Sequence, residues 1–388
     1  MKLKKIITIL LTALVVTSAN AQKQNVKKIW NDVEKQLSIL YKESLSNRMK
    51  QEVFPRTLHN DSLKLVSSGD WTSGFWPGIL WMTYEYTGKQ EWKTKAEEFT
   101  ALMSREPKNR SSHDVGFKVY NSYGQAYRLT GEETYKKQIV EAAATLASRF
   151  NATTGCIRSW DFNKWQYPVI IDNMMNLELL FAATRLTNDS SYYKIAVSHA
   201  NTTLKNHFRP DYSSWHVVDY DTITGNVISK STHQGYADES AWARGQAWAL
   251  YGYTMCYRET KDIRYLEQAE HVASFLLNHP ALPNDMIPYW DFNLPDFKTA
   301  SRDASAAAII AAALYELKNY SHQKKKYKKA ANKILANLTK SYRATPGTHK
   351  GFILLHSTGH KPANGEVDVP IIYADYYYLE ALLRQQKK

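Results

Sequence analysis

Two carboxylates in unusual company carry the first chemical signal in this sequence. Asp172 stands in YPVIIDNMMNLELL (residues 167–180), with Val169, Ile170 and Ile171 before it and Met174, Met175 and Leu177 after it. A carboxylate among apolar groups costs free energy unless it is paired, hydrogen-bonded or kept neutral. Asp114 follows His113 in HDVGF. Each precedes a helical pattern, so capping of exposed backbone N–H groups is the simple reading of both. If the two instead face one cavity, repulsion and burial raise a pKa. A carboxyl that holds its proton near neutral pH is what a general acid needs. Two carboxylates flanking a sugar are also the usual equipment of a glycosidase.

The densest polar and aromatic stretch is THQGYADESAWARGQAW (232–248), with His233, Gln234, Asp238, Glu239, Trp242, Arg244 and Trp248. Arg244, between two tryptophans, suits either a structural stack or salt bridge, or a guanidinium that grips a carboxylate or a hydroxyl pair. His216 and His233 are metal ligands in type only. No HExxH, CxxC or tight histidine cluster accompanies them, so no metal is expected. Neither a phosphate loop, a dinucleotide fingerprint nor a GxSxG elbow is present, so no cofactor is expected.

Helical periodicity supplies the elements that must position these groups. Ile29, Val33, Leu37 and Leu40 recur at helical spacing, as do Ile79, Met82 and Tyr86, and Ile139, Ala143, Leu146 and Phe150. Further patterns cover roughly 172–187, 191–207, 240–257, 263–278, 303–319, 325–341 and 371–385. Turn chemistry separates them, and HVVDYD (216–221) is the one short strand expected. Six helices begin just after an aromatic and small-residue loop: GFWPGILW, HDVGFKVYN, IDNMMNLELL, SAWARGQAW, RDASAAAII and YADYYYLEALL. About a dozen helices without a composition break suggest hairpins arranged in a ring. A double ring, the (α/α)6 barrel, would set all six starts on one face, where their polar groups converge.

Composition bounds the setting. Residues 1–21 have a basic start (Lys2, Lys4, Lys5), a short apolar run and an Ala19-Asn20-Ala21 cleavage site. They are read as a secretory signal peptide, too short to span a membrane, followed by a single catalytic domain over 22–388. The protein is therefore expected to be periplasmic or secreted. The net charge of +13 includes three signal-peptide lysines. Such a surface is either simply solvated or drawn to polyanions, which outside the cell means acidic polysaccharide rather than nucleic acid. The lysine-rich QKKKYKKAANK (323–333) is read as a solvated helix face. Aromatics at 13% suit both sugar stacking and cores. Two cysteines, Cys156 and Cys256, do not make a disulfide scaffold, and their pairing is left open.

Taken together, the motifs resemble those of glycoside hydrolase family 88, the unsaturated glucuronyl hydrolases. The resemblance runs along nearly the whole mature chain: SGFWPGILW (73–81), HDVGF (113–117), RSW (158–160), IIDNMMNLELL (170–180), THQGYADESAWARGQAWALYG (232–252), PYWDF (288–292), RDASAAAI (302–309) and the terminal YADYYYLEALLR, in that order. It implies an (α/α)6 barrel. It implies an enzyme that removes the 4,5-unsaturated uronic acid from lyase-generated oligosaccharides by hydrating the C4=C5 bond. Asp172 then matches the acid/base residue and Asp114 the second essential carboxylate. Gln234, Arg244, His216 and His113 match polar pocket residues, and Trp76, Trp160 and Trp242 the aromatic walls. LLHSTGHKPANGEVDVP (354–370) falls where relatives place a loop contacting the next sugar; it is read either as a plain flexible surface loop or as a loop whose Ser357, His360 and Lys361 meet a sulfate, the match to the sulfate-preferring pattern being partial. Glycosaminoglycan fragments are the expected substrates, with ulvan or rhamnogalacturonan lyase products and a catalytically silent sugar-binding barrel as the alternatives. The chain is expected to work without membrane insertion, as a monomer or weak homodimer.

Overall fold

The computed structural model describes residues 26–162 and 164–387. The expected signal peptide lies outside the described residues. Twelve helices fill the described chain: α1 (26–46), α2 (Phe75–Thr87), α3 (Gln90–Ala101), α4, α5 (Glu133–Ala147), α6 (Asn173–Thr187), α7 (Ser190–Asn206), α8 (Ala243–Thr260), α9 (Ile263–Asn278), α10 (Ala304–Leu317), α11 (Lys324–Asn337) and α12 (Ile372–Gln386). Helix α4 starts as a π-helix over Gly116–Gly124 and continues as an α-helix over Gln125–Thr130.

The even-numbered helices form a closed inner ring. Helix α2 packs on α4 and α12, α6 on α4 and α8, and α10 on α8 and α12. Outside them α3 packs on α2, α5 on α4, α7 on α6, α9 on α8 and α11 on α10. Helix α1 joins through Trp30, stacked on Tyr86 of α2 at 4.2 Å. This is the (α/α)6 barrel. Burial explains which helices go inside. Every residue of α10, ASAAAIIAAALYEL, is buried, as befits a helix that is apolar all round. Helix α9 buries only a stripe, Tyr265, Leu266, Gln268, Ala269, Val272, Ala273 and Leu276, which is the pattern of an outer helix.

Two glycines let α6 sit close to its neighbours. A Cβ on Gly116 would come 2.6 Å from the Asn176 Cα, and one on Gly252 would come 2.5 Å from the Met174 Cβ. The π-helical start of α4 admits the Asn176 side chain, whose Oδ1 accepts from the Phe117 N–H at 2.9 Å. The first turn of α6 is thereby pressed between α4 and α8.

Short strands lie on the side where the inner helices begin. Strands β1 (Phe54–His59) and β2 (Ser62–Val66) form a hairpin, as do β3 (Phe150–Asn151) and β4 (Cys156–Ile157). Strands β5 (Pro168–Ile170), β6 (Val217–Tyr220) and β7 (Val227–Ser231) form an antiparallel sheet. Strand β6 is the one read from the sequence. Segment 354–370 is not an open loop, since its hydrogen bonds pair β8 (Ser357–His360) with β9 (Gly365–Val369). Cys156 and Cys256 are both free and buried.

Candidate active site

A cavity opens at the N-terminal ends of the inner helices. Asp172 lies in its wall, at the junction of β5 and α6. The junction is pinned from both sides: β5 pairs with β6, and the Ile171 N–H donates to the His216 carbonyl at 3.0 Å. Asp172 makes no side-chain cap to α6. Its Oδ2 is buried without a hydrogen-bond partner. Burial pushes its carboxyl up to about 7, against the pull of Arg244 and with a smaller push from Asp114. Desolvation therefore outweighs the nearby cation, and the acid can hold a proton at neutral pH.

Asp114 stands before α4, on the same cavity. Its backbone N–H donates to the Ser112 Oγ at 3.1 Å, which in turn donates to Asp114 Oδ2 at 3.2 Å. His113 is fully buried, and its Nε2 lies 3.4 Å from Asp114 Oδ1. Burial holds the His113 imidazolium below its usual range. His216 Nε2 lies 3.7 Å from Asp172 Oδ2. Each candidate carboxylate thus faces the Nε2 of one buried histidine.

Arg244 is committed to the protein. Its guanidinium donates to the carbonyls of Thr358 (2.5 Å) and Gly359 (2.6 Å) and pairs with Asp303 at 3.1 Å. It also lies over the rings of Trp242 (4.5 Å) and Tyr373 (5.3 Å). Gln234 donates to the same Gly359 carbonyl at 3.1 Å. Together they fasten the β8–β9 hairpin over the cavity while still presenting to it.

The sequence profile of Glycosyl Hydrolase Family 88 matches residues 43–385. This chain belongs to glycosyl hydrolase family 88. It is 50% identical to an unsaturated glucuronyl hydrolase of Formosa agariphila over 97% of this chain and 96% of that protein. It is 35% identical to an unsaturated chondroitin disaccharide hydrolase of Streptococcus pneumoniae, over 87% of each chain. Among solved structures, an unsaturated glucuronyl hydrolase specific for heparin superposes with a TM-score of 0.88 at 47% identity, covering 92% of this chain and 96% of that one.

In this family 88 chain, the residues expected from sequence divide into three groups. Asp114, Asp172, His113, Trp160, Gln234 and Arg244 line the cavity together. His216 and Trp242 form a second layer behind it, their rings 4.6 Å apart. Trp76, Ser357 and Lys361 do not line it. Trp76 is a correction: it is fully buried and packs its ring edge against Phe99, because its place inside the first turn of α2 turns it to the outer helices. Trp71, five residues earlier in the approach to α2, stands at the cavity instead. The Ser357 hydroxyl is buried in β8 and Lys361 is exposed in the turn between β8 and β9, outside the cavity lining, so neither is placed to meet a sulfate there. His360 does reach the wall, its Nε2 2.9 Å from the His233 carbonyl.

Further lining residues lie outside the expected set, although Phe117 closes HDVGF and Tyr373 opens the terminal YADYYYLEALLR. Arg56 reaches the cavity from β1, held by Glu366 of β9 (2.5 and 3.0 Å) and by Asp70 (2.6 Å). Phe162, Phe117 and Tyr373 add apolar wall. Trp160 stacks on Phe162 at 5.1 Å and meets His233 edge-on at 5.2 Å.

Proposed function

We propose that this chain removes the 4,5-unsaturated uronic acid from the non-reducing end of lyase-generated glycosaminoglycan oligosaccharides, by hydrating the C4=C5 bond. The observation that carries this reading is Asp172: a buried, uncapped carboxyl that faces a cavity and keeps its proton near neutral pH. An enol-ether carbon is protonated only by an acid held beside it. Asp172 gives its proton to C4, and the ring oxygen stabilises the cation that develops at C5. Asp172, now ionised, takes a proton from the water that adds at C5. The hemiketal so formed opens to a ketone and releases the remaining sugar from C1. Asp172 ends as it began. Asp114 orients the ring and favours the protonated form of Asp172 by repulsion. Trp71 and Trp160 provide stacking walls, and Gln234 and His113 polar contacts.

The relatives named above support the substrate class, since their names specify glucuronyl, chondroitin or heparin substrates. We further infer that residues 1–21 direct export, which would bring the enzyme to oligosaccharides outside the cytoplasm. The test is one assay on unsaturated disaccharides from heparin, chondroitin, hyaluronan and ulvan. Loss of the ultraviolet absorbance of the conjugated enol acid is expected on at least one of the first three. No loss on any of the four rejects the reading, and loss on the ulvan product alone moves the substrate class.

A further inference from the structure

The two nearest partners of the His216 ring only donate, and the Thr232 hydroxyl lies further off, 3.5 Å from Nδ1. The His216 Nδ1 lies 3.1 Å from the backbone N of His233 and 3.2 Å from that of Gln234. Both carry N–H, so Nδ1 must offer its lone pair and bears no hydrogen. The ring proton therefore sits on Nε2. An imidazolium would set an Nδ1–H against two N–H groups. Burial disfavours the cation as well, with His233, Arg244, His360 and His207 adding to it. Trp242, at 4.6 Å, and the edge of Trp160, at 5.9 Å, flank the ring and fix its plane.

On the other side Nε2 faces Oδ2 of Asp172 at 3.7 Å, and neither atom has a hydrogen-bond partner. That separation exceeds a hydrogen bond. Catalytic hydrogen bonds in ligand-free sites are often long and tighten as the reacting complex forms.

We propose that His216 is a positioning residue acting through Asp172: the 232–234 turn holds it as a permanent Nε2–H donor that receives the carboxylate once Asp172 has given up its proton. The role rests on the reading of Asp172 as acid and base. While Asp172 is protonated the contact is slack. When the proton passes to C4, the new carboxylate gains a donor aimed at Oδ2. When the incoming water returns a proton, the contact slackens again. His216 keeps its own proton throughout, so the proton count closes between Asp172, sugar and water. Arg244 from α8 and Asp114 from the start of α4 also act on Asp172, and both stay in place in the variants that follow.

Two measurements test the role. Nitrogen NMR of the full-length protein with labelled histidine reads the tautomer. The expected ring is neutral, protonated at Nε2 and bare at Nδ1 across about pH 5 to 9, the range in which an ordinary histidine titrates. A ring that titrates there, or that carries Nδ1–H, overturns the proposal without touching the functional reading. The second measurement is the pH profile of kcat on an unsaturated disaccharide. Turnover needs protonated Asp172, so the profile falls as pH rises through its pKa. His216→Ala removes a donor that favours the carboxylate, so the falling limb moves up by about one unit and kcat drops about 10-fold or more, with KM changing far less. His216→Gln restores an N–H donor close to the Nε2 position and keeps the limb at the wild-type pH. A limb that stays put in the alanine variant, or moves equally in both, overturns the donor role. If neither variant folds, the NMR measurement on the wild-type protein decides. Absence of turnover by the wild-type protein on every unsaturated disaccharide overturns the functional reading and the catalytic role with it.

Discussion

Asp172 and Asp303 both stand immediately before an inner helix, and only Asp303 caps it. Asp303 Oδ1 accepts from the backbone N–H groups of Ser305 (3.0 Å) and Ala306 (3.3 Å), while Oδ2 takes the Arg244 guanidinium. Asp172 has neither a cap nor a cation in contact, and its Oδ2 is buried without a partner while the residue lines the cavity. The same residue type at the same place in the barrel repeat serves structure in one case and is free for chemistry in the other.

Asp172→Asn is expected to lower turnover by about 10²–10⁴-fold, the range that general acid–base groups contribute, with the circular dichroism spectrum unchanged. Retention of near-wild-type turnover would remove Asp172 from the mechanism.

The same substitution has a pH-dependent effect on stability. Asp172 has its pKa raised from 3.8 to about 7 in the folded protein. The folded state then binds the proton more tightly than the unfolded state, so stability falls as pH rises between these two values. Asparagine never ionises. Asp172→Asn should therefore melt higher than wild type near pH 8, and the gap should close near pH 4. Calorimetry at the two pH values checks this, and a gap that does not change with pH contradicts it.

Asp303→Ala should cost stability rather than chemistry alone. It leaves Arg244 buried without its carboxylate, a change worth about 3–5 kcal/mol. Denaturant titration measures it. A loss below about 1 kcal/mol, the level of an exposed ion pair, would show that Arg244 is held by the Thr358 and Gly359 carbonyls without help.

Trp71 and Trp76 should separate binding from folding. Trp76→Ala opens a cavity in the packed core and is expected to cost about 3–5 kcal/mol. Trp71→Ala removes a wall of the sugar site and should raise KM several-fold with a smaller loss of melting temperature. If the two variants behave alike in both assays, the placement of these rings relative to the site is mistaken.

Arg56 and Glu366 tie the β1–β2 hairpin to β8–β9 with two hydrogen bonds. A double-mutant cycle of Arg56→Met and Glu366→Gln should show a coupling of about 0.5–3 kcal/mol, as groups in one network do. Both single variants should raise KM, because the Gly359–His360 wall is then less firmly held. Additive effects on stability would argue against the tie.

Much of the helical frame is written in the sequence, because periodicity reports burial. The expected 263–278 matches α9 end for end, and 172–187 misses α6 by one residue. Asp172 was visible as an energetic oddity. Arg56 was not, for a reason of geometry. The pairing of β1 with β2 shifts register between Pro55 and Thr57, so Arg56 is the extra residue of a bulge. Bulges re-aim a side chain out of the in–out alternation that sequence reading uses. The hairpin turn itself, Asn60-Asp61 with φ of 48° and 59°, is a recognisable signal. It is masked by Pro55 and by the bulge at Arg56, which break the alternation of β1. Trp76 shows the opposite failure. A matching motif assigns a residue to a site, but the rotation of its helix decides which way the ring points.

The inner ring closes where α12 meets α2, so this wall of the vessel is made after the other five inner helices. Until those 15 residues arrive, the apolar flanks of α2 and α10 have no neighbour on one side. A nascent or C-terminally clipped chain is thus an open gutter rather than a shorter barrel, with sticky edges and no complete cavity. Pairing of segments so distant in sequence is intrinsically slow. The interval before closure is when aggregation and proteolysis compete with folding.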